Sequence, residues 1–413
     1  MSDLPPKKFV PEPFPYHHEL ELTIEALSNS GDGVARVDGW VVFVPFALPG
    51  DRVVARIWKN DKNCSYADLV SVVEPSSDLV EPVCRLFGLC GGCQYQHLSY
   101  EKQLEWKTQQ VADLLRLQAG LTLPVNPAIA SPKQYNYRSK ITPHFDKPKN
   151  QQQGIGPIGF LKVGSRRELV DVPACPIAME CINEALPPVR KTCRENSAQY
   201  KRGATLLMRA SEGGVLTNNG SIATEYVGNL EFHFLAGDFF QNNPFILPLF
   251  TSYVADQASQ GGQEFLVDAY CGSGLFSLSL ASRFKKVVGV EVSETSADWA
   301  RSNARTNGID HASFMAADAS AIFADVDYPP HLTSVVIDPP RKGCDMNFLN
   351  QLFAFGPARV VYVSCNPATQ IRDLAEFDKA GYQVTAVQPF DLFPQTKHLE
   401  CVVTLVRSHS SNN

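Results

Sequence analysis

The chain has 413 residues, more than one hydrophobic core usually serves, so we expect two or three domains. Hydrophobic residues make up 44% and charged residues 19%, which is typical of ordinary soluble globular proteins. The longest apolar run, Trp40 to Pro49, contains two prolines and is too short to cross a bilayer. The first ten residues lack the apolar stretch of a signal peptide, so we expect a cytoplasmic protein without membrane contact.

The net charge of −6 argues at first against a nucleic-acid partner. However, the segment from Lys133 to Arg209 holds 14 Lys and Arg residues against 6 Asp and Glu residues. A local excess of this kind can neutralise phosphates even in an acidic protein, although a solvated charged surface would look the same.

The first segment, up to residue 75, consists of short apolar runs separated by turn residues. Asp38-Gly39 lies between two of these runs and is a residue pair that favours a tight type I′ hairpin. Five strands in so short a segment indicate a small β-barrel of the OB type. The predicted strands are Leu20–Ala26, Gly33–Arg36, Trp40–Val44, Asp51–Lys59 and Ala67–Val73.

The middle segment, residues 76–237, begins with a group of cysteines and one predicted helix, Tyr100–Gln118. Eleven cysteines in a chain without a secretory signal are more suited to metal binding or catalysis than to disulfides. Cys84, Cys90 and Cys93 are close in sequence, and Cys175 supplies a fourth thiol. Four thiolates suit either zinc or an iron–sulfur cluster, and the spacing alone favours zinc.

From residue 238 to 413, strands and helices alternate in the pattern of a parallel α/β sheet. The last two predicted strands lack a helix between them, which indicates an antiparallel hairpin at the sheet edge. This order predicts a Rossmann-like methyltransferase domain. The predicted strands are Phe265–Asp268, Val287–Glu291, Ser313–Ala317, Ser334–Asp338, Arg359–Ser364, Gln383–Pro389 and Glu400–Val406.

A cofactor turn is predicted after the first of these strands, where Gly272 and Gly274 let a ligand approach the backbone. Glu291 ends the next strand, where a carboxylate can bind ribose hydroxyls, and Asp318 follows the third strand, beside the expected position of adenine. The dinucleotide pattern Gly-x-Gly-x-x-Gly is absent, so S-adenosylmethionine fits this turn better than NAD.

Three motifs are predicted to carry the chemistry, of which the first two lie at the carboxyl edge of the sheet and the third brings a carboxylate into the last strand. They are Asp338-Pro-Pro-Arg-Lys-Gly343, Ser364-Cys-Asn-Pro-Ala-Thr369 and His398-Leu-Glu400. Carbon 5 of uracil cannot attack a methyl donor unaided, but addition of a thiolate to carbon 6 makes it nucleophilic. A base must then remove the carbon 5 proton so that the thiol can leave. One cysteine and one carboxylate beside a methyl donor meet these needs, although a free cysteine is more often a small buried apolar residue.

Together with Phe240-Gln-Asn-Asn243 and Asp268-Ala-Tyr-Cys-Gly-Ser-Gly274, these motifs resemble the RNA uridine-5-methyltransferase family across nearly the whole chain. The resemblance implies that Cys365 is the nucleophile, that Glu400 is the base, and that Asp338 lies beside the reacting centre. It also implies cofactor contacts from a set of five side chains, namely Gln241, Tyr270, Glu291, Asp318 and Asp338. Ser273 departs from the family, which usually has Asn at this place in the turn.

The resemblance further implies that the N-terminal barrel is a TRAM-type RNA-binding domain. It implies that the central segment binds RNA through Lys133, Tyr135, Tyr137, Arg138 and Lys140, where rings and cations alternate. The ribosomal members carry a [4Fe–4S] cluster on cysteines that match Cys84, Cys90, Cys93 and Cys175, which reverses the preference for zinc.

Bacterial members that act on tRNA generally lack both the barrel and the cluster, so we expect 23S rRNA as the substrate and a monomeric enzyme. Methylation of tRNA is the nearest alternative. Methylation of cytosine is less favoured because no cysteine accompanies Asp338-Pro-Pro, and methylation of adenine would not need Cys365. A non-catalytic RNA-binding or assembly factor is a third alternative, against which the intact Cys365 and Glu400 argue.

Overall fold

The computed structural model describes residues 4–148, 154–317, 322–323 and 326–408. The chain forms two compact units. Unit 1 comprises Met1–Gln110, Phe160–Val170 and Gln395–Lys397, and unit 2 comprises Val111–Gly159, Asp171–Pro394 and His398–Asn413. The three-domain division at residues 75 and 237 follows the sequence pattern and stays a prediction.

Unit 1 contains a six-stranded sheet with the order β1-β5-β6-β4-β3-β2. Five of these strands match predicted ones, and β2 is a further short strand. Asp38 and Gly39 both have positive φ angles, of 50° and 86°, which confirms the predicted tight hairpin between β3 and β4. Apolar residues on alternate positions, such as Val42, Val44, Val53 and Ala55, fill the interior. The strands are β1 Glu19–Thr23, β2 Ala26–Leu27, β3 Asp32–Val37, β4 Trp40–Pro45, β5 Arg52–Asn60 and β6 Cys64–Glu74.

The central part of the chain has two long helices and a series of short strands. Helix α1, Tyr100–Ala119, matches the predicted helix, and α2 is Glu180–Glu195. The last two strands of this series, β14 and β15, pair antiparallel as a hairpin. The strands are β7 Lys140–Ile141, β8 His144–Phe145, β9 Gly159–Leu161, β10 Leu169–Asp171, β11 Ala204–Thr205, β12 Met208–Ser211, β13 Gly214–Leu216, β14 Ile222–Val227 and β15 Leu230–Leu235.

The rest of unit 2 is built around a seven-stranded sheet with the order β18-β17-β16-β19-β20-β22-β21. The first five strands of this order run parallel, and β22 is antiparallel to both of its neighbours. This confirms the predicted Rossmann-like methyltransferase fold, and each predicted strand agrees with the structure to within one residue. The strands are β16 Phe265–Ala269, β17 Lys286–Glu291, β18 Ala312–Ala316, β19 Thr333–Ile337, β20 Arg359–Ser364, β21 Tyr382–Phe390 and β22 Glu400–Arg407.

Five α-helices lie among the described residues of this part of unit 2 and cover the sheet. Because both faces are covered, the central strands read as continuous apolar runs, and every residue of β19 is buried. The Ser293 hydroxyl caps α5 at its N-terminus and the Asp345 carboxylate caps α6. Along the described ranges, no helix is both long and apolar enough to span a bilayer. The helices are α3 Leu247–Ser259, α4 Leu275–Leu280, α5 Glu294–Thr306, α6 Met346–Phe355 and α7 Pro367–Lys379.

Candidate active site

The strand ends of unit 2 bring the predicted catalytic residues to one edge of the sheet. Ala269 at the end of β16 pairs with Ile337 of β19, and Ile337 pairs with Tyr362 of β20, so these parallel strands end at the same level. Strand β22 returns antiparallel to β20 with Ser364 opposite Cys401. Cys365 follows Ser364 and Glu400 precedes Cys401, and the charge of Glu400 acts on the Cys365 thiol, so the two motifs that are far apart in sequence meet.

The Cys365 thiol is half-buried among charged groups. Burial, followed by the negative charges of Glu400 and Asp338, raises the pKa of this thiol from 9.0 to about 11. The Arg341 guanidinium opposes this shift by its positive charge and by a hydrogen bond to the thiol. The two carboxylates therefore disfavour the thiolate form of Cys365, and Arg341 favours it.

Glu400 is 3% exposed, and its Oε2 has no hydrogen-bond partner within the described part of the chain. Burial and the nearby Asp338 raise the pKa of the Glu400 carboxyl well above its ordinary value, while Arg341 lowers it. A carboxylate with a raised pKa and an unused oxygen is a stronger base than one in water, which suits the removal of a proton from carbon.

The sequence did not identify Arg341 as a site residue, because only Asp338 and the prolines of its motif were linked to the chemistry. Its backbone oxygen accepts hydrogen bonds from Asn366 Nδ2 at 3.0 Å and Thr369 Oγ1 at 3.1 Å. These bonds join the motif of Asp338 to the motif of Cys365. A cation three residues after a site carboxylate is the signal that could have identified it.

Asp338 and Asp268 form a pair of acidic groups beside the catalytic residues. Burial raises the pKa of each to about 7, and in each case charge repulsion adds to the effect, from Asp268 on Asp338 and from Glu291 on Asp268. The Ser277 backbone N and Oγ donate to Asp268 Oδ2 at 2.7 and 2.5 Å, whereas Asp268 Oδ1 has no partner among the described residues. A cationic ligand beside Asp268 and Asp338 would offset this repulsion and stabilise their carboxylates.

The backbone of the cofactor turn has positive φ angles, as its glycines predict. Tyr270, Gly272 and Gly274 have φ angles of 67°, 54° and 93°. A Cβ atom on Gly272 would meet nothing within 4 Å, so this side of the turn is open to a ligand. Glu291 Oε2 accepts from the Gly272 backbone N at 3.0 Å and Oε1 accepts from the Ser293 N at 2.9 Å.

Of two other predicted cofactor residues, one lies within the described residues and the other does not. Gln241 is described and is 4% exposed, in the segment that follows β15. Asp318 lies outside the described residues. Its contact with the cofactor therefore stays a prediction.

Known proteins resemble this chain along both units. A family model described as tRNA (uracil-5-)-methyltransferase matches residues 223–408, and a TRAM domain model matches residues 18–70. The tRNA (uracil(54)-C(5))-methyltransferase of Schizosaccharomyces pombe is 44% identical, over 96% of this chain and 79% of that protein. The enzyme of the same name from Saccharomyces cerevisiae is 36% identical, over 95% of this chain and 74% of that protein. This chain belongs to the tRNA (uracil-5-)-methyltransferase family.

Two further comparisons agree with this assignment. An uncharacterised RNA methyltransferase of Halalkalibacterium halodurans is 32% identical over 94% of this chain and 96% of that protein. The crystal structure of Pyrococcus abyssi tRNA (uracil-54, C5)-methyltransferase superimposes with a TM-score of 0.71 at 24% identity, over 94% of this chain and all of that one, which shows the shared fold. The chain is an S-adenosylmethionine-dependent RNA uracil-5-methyltransferase with a TRAM domain, as the sequence motifs predicted.

The predicted RNA-binding residues of the methyltransferase differ in how far their side chains are available. Tyr137 is fully buried and its hydroxyl donates to the Pro394 backbone O at 2.9 Å, so it offers no face for a base to stack on. Lys140 Nζ donates to the backbone oxygens of Gly237 and Asp238 at 2.8 and 3.1 Å. Burial and the nearby Arg209 lower the pKa of the Lys140 ammonium to about 8. In this structure both side chains bond to backbone oxygens, and their contact with RNA stays a prediction.

The other three predicted RNA-binding residues lie closer to solvent. Lys133 is exposed, with its Nζ 4.0 Å from the centre of the Phe245 ring. Tyr135 and Arg138 are half-buried, and Arg138 Nε donates to the Lys140 backbone O at 3.0 Å. Their contact with RNA stays a prediction.

The four predicted cluster cysteines of the methyltransferase do not form a metal centre in this structure. All four lie within the described residues, and nowhere in those residues do three or more His, Cys, Asp or Glu side chains gather in a way that could hold a metal ion. The described residues therefore do not support the [4Fe–4S] cluster on these cysteines, which stays a prediction.

Cys344, a second possible nucleophile at this edge, is buried and engaged by its surroundings. Its sulfur lies 3.8 Å from the Tyr362 hydroxyl, and its backbone N donates to Asp373 Oδ2 at 2.9 Å. Burial raises the pKa of this thiol far above that of a reactive cysteine. These contacts make Cys344 a packing residue.

Proposed function

We propose that this methyltransferase forms 5-methyluridine in tRNA, at the uridine equivalent to position 54, with Cys365 as the nucleophile and Glu400 as the base. The observation that supports the catalytic assignment is the pairing of Ser364 with Cys401, which brings the adjacent Cys365 and Glu400 close enough for the Glu400 charge to act on the thiol. Arg341 completes the set by its hydrogen bond to the thiol.

The chemistry begins at Cys365, whose deprotonated form is stabilised by Arg341. The thiolate adds to carbon 6 of uracil, a carbon–sulfur bond forms, and the electrons of the carbon 5–carbon 6 double bond move to the carbonyl oxygen as an enolate. S-adenosylmethionine, when bound, supplies the methyl group that carbon 5 attacks. Glu400 then removes the carbon 5 proton, the carbon 5–carbon 6 double bond returns, and the thiolate leaves.

The residues at the cofactor turn suit this methyl donor. S-adenosylmethionine carries a sulfonium and an ammonium, and the site offers the carboxylates of Asp268, Asp338 and Glu291. A cation beside the unpaired Asp268 Oδ1 would satisfy an oxygen that has no partner among the described residues. Glu291 at the end of β17 would hold the ribose, as the sequence predicts.

The choice of tRNA rests on the named relatives. The sequence preference for 23S rRNA depended on the barrel and the cysteine cluster, since bacterial tRNA enzymes were expected to lack both. The Schizosaccharomyces pombe protein, named as a tRNA enzyme, aligns with 96% of this chain, which includes most of the barrel. The barrel therefore no longer favours rRNA. We keep rRNA as the second substrate candidate, and the cytoplasm and a monomeric state as predictions from the sequence.

The substrate is tested with purified protein, labelled methyl donor and three RNAs. We expect 5-methyluridine in a tRNA transcript, none in the same transcript with cytidine in place of the uridine at position 54, and none in 23S rRNA fragments. Methylation of the rRNA fragments alone, with an active enzyme, would support the rRNA candidate instead.

The roles of Cys365 and Glu400 are tested by trapping the intermediate. Cys365→Ala should form no covalent RNA complex and transfer no methyl group. Glu400→Gln keeps the size of the side chain but removes the base, so a methylated RNA–protein adduct should survive denaturing electrophoresis. Wild-type protein should give the same kind of adduct with 5-fluorouridine RNA, because fluorine cannot leave as a cation.

The matched control for Glu400→Gln is Glu376→Gln, which changes a partly exposed carboxylate of α7 that pairs with Lys379. It should turn over normally and leave no adduct. If Cys365→Ala kept substantial turnover, the nucleophile would lie elsewhere and the mechanism would be wrong.

A further inference from the structure

The side chain of Asn303, on α5, is fully buried beneath the cofactor turn. Its Nδ2 donates to the Ser273 backbone O at 3.0 Å, in the middle of that turn. The same Nδ2 donates to the His233 backbone O at 3.0 Å, and the His233 backbone N donates to Asn303 Oδ1 at 2.8 Å. One amide therefore bonds both the cofactor turn and the strand β15.

Asn307, one helical turn further along α5, repeats only part of this pattern. Its Oδ1 accepts from the Glu231 backbone N at 2.9 Å, and its Nδ2 donates to the Glu231 backbone O at 2.7 Å. Its second donor bond goes to the Asn303 backbone O at 2.8 Å, within the helix. Both asparagines thus hold β15, but of the two only Asn303 also holds the cofactor turn.

The segments that Asn303 joins are both predicted walls of the cofactor pocket. Strand β15 ends at Leu235 and leads through a short loop to Gln241, a predicted cofactor residue. The turn holds Gly272 and Gly274, and a Cβ atom on Gly274 would lie 3.3 Å from Ala300 of α5. Helix α5 therefore packs against the turn at Ala300 and bonds to it at Asn303, three residues later.

We propose that Asn303 is a positioning residue for S-adenosylmethionine, which fixes the cofactor turn through Ser273 O and sets its distance from the segment of Gln241. The bond goes to a backbone oxygen, so it tolerates serine at position 273. This inference rests on the proposed binding of the cofactor at the turn.

The matched test compares Asn303→Asp with Asn307→Asp. Each change keeps the acceptor oxygen and replaces an amide that donates two hydrogen bonds. We expect Asn303→Asp to weaken S-adenosylhomocysteine binding about tenfold in calorimetry, because the turn carbonyl loses its donor and faces a carboxylate oxygen. Asn307→Asp should lower the Tm by a similar amount yet change the Kd less than about twofold.

Steady-state kinetics separates positioning from catalysis. With Asn303→Asp, the KM for S-adenosylmethionine should rise in step with the Kd, while kcat and the KM for RNA stay within about twofold of wild type. Equal changes in Kd for the two asparagine variants, or an unchanged Kd for folded Asn303→Asp, would overturn the proposal.

A milder variant, Asn303→Ser, guards against loss of folding, since serine is small and keeps one donor. It should weaken S-adenosylhomocysteine binding by a smaller factor than Asn303→Asp, and an unchanged Kd would count against the proposal. Failure of the wild-type protein to bind S-adenosylhomocysteine would instead refute cofactor binding at the turn. The two failures are therefore distinguishable.

Discussion

Replacement of Glu400 or Arg341 by glutamine removes charges of opposite sign from beside the Cys365 thiol, so the two variants should shift its pKa in opposite directions. The pKa of this thiol is about 11, compared with the ordinary value of 9.0. At pH 8 this leaves roughly one thiolate per thousand molecules, against roughly one in ten for an unperturbed thiol. A charge within hydrogen-bonding range shifts a pKa by about one unit or more, and each unit changes the thiolate fraction about tenfold.

The pH dependence of the two effects should differ. Arg341→Gln removes the positive charge that favours the thiolate, so it should slow alkylation of Cys365 about tenfold at every pH below the thiol pKa. The raised pKa of Glu400 means that its negative charge develops only as the pH rises. Glu400→Gln should therefore accelerate alkylation, and its advantage over wild type should grow between pH 7 and pH 10.

The assay measures iodoacetamide labelling of each cysteine by peptide mass spectrometry across this pH range. Cys64, on β6 in unit 1, serves as an internal reference, and its labelling rate should be the same in all three proteins. Shifts of the Cys365 rate in the same direction in both variants, or no shift in either, would refute this account of the site.

Four further outcomes are expected. Glu291→Ala should weaken S-adenosylhomocysteine binding by about 1–3 kcal/mol in calorimetry, the scale of a hydrogen bond to a charged group, and binding of NAD in its place would contradict the cofactor assignment. The pKa of Asp338 is raised to about 7, so the stability that its neutral form contributes is fully present below about pH 4 and is lost as the pH rises through 7. Asn cannot ionise. Asp338→Asn should therefore reduce the fall in Tm of the ligand-free protein between pH 4 and pH 8. Tyr137→Phe should destabilise the protein by about 1 kcal/mol in urea unfolding without changing the KM for RNA, whereas a raised KM with normal stability would restore its stacking role. Iron analysis of anaerobically purified protein tests the cluster prediction, which expects about four irons per chain and which a metal-free, active protein would refute.

The sequence predicted the methyltransferase sheet closely because its strands are apolar runs between turn residues, and such runs are local signals. Asp38-Gly39 likewise predicted its hairpin, since two left-handed residues in succession favour these residue types. The meeting of Cys365 and Glu400 was predicted only through the family resemblance. Local patterns do not determine the register in which β22 returns to β20.

It was harder to predict which side chains are buried and which distant residues they contact. Alternation of rings and cations around Tyr137 and Lys140 looked like an RNA-binding surface, but it does not indicate which side of the segment is buried. Arg341 and Asn303 were missed because each acts on a group that is distant in sequence. The cysteine spacing predicted a metal centre, but whether thiols in separate segments meet depends on the packing of those segments.

The two asparagines of α5, Asn303 and Asn307, bear on how the hairpin formed by β14 and β15 avoids pairing with other molecules. A two-stranded sheet has two open edges, whose unpaired N–H and C=O groups can recruit a strand from another molecule. On the β15 edge, Asn303 and Asn307 occupy the backbone groups of His233 and Glu231. On the β14 edge, the Ser211 hydroxyl accepts from the Thr224 N at 2.8 Å and donates to the Thr224 O at 3.3 Å. At Thr224, Glu231 and His233 the outward backbone groups are thus already bonded, so a strand from another molecule cannot pair with the hairpin at these positions.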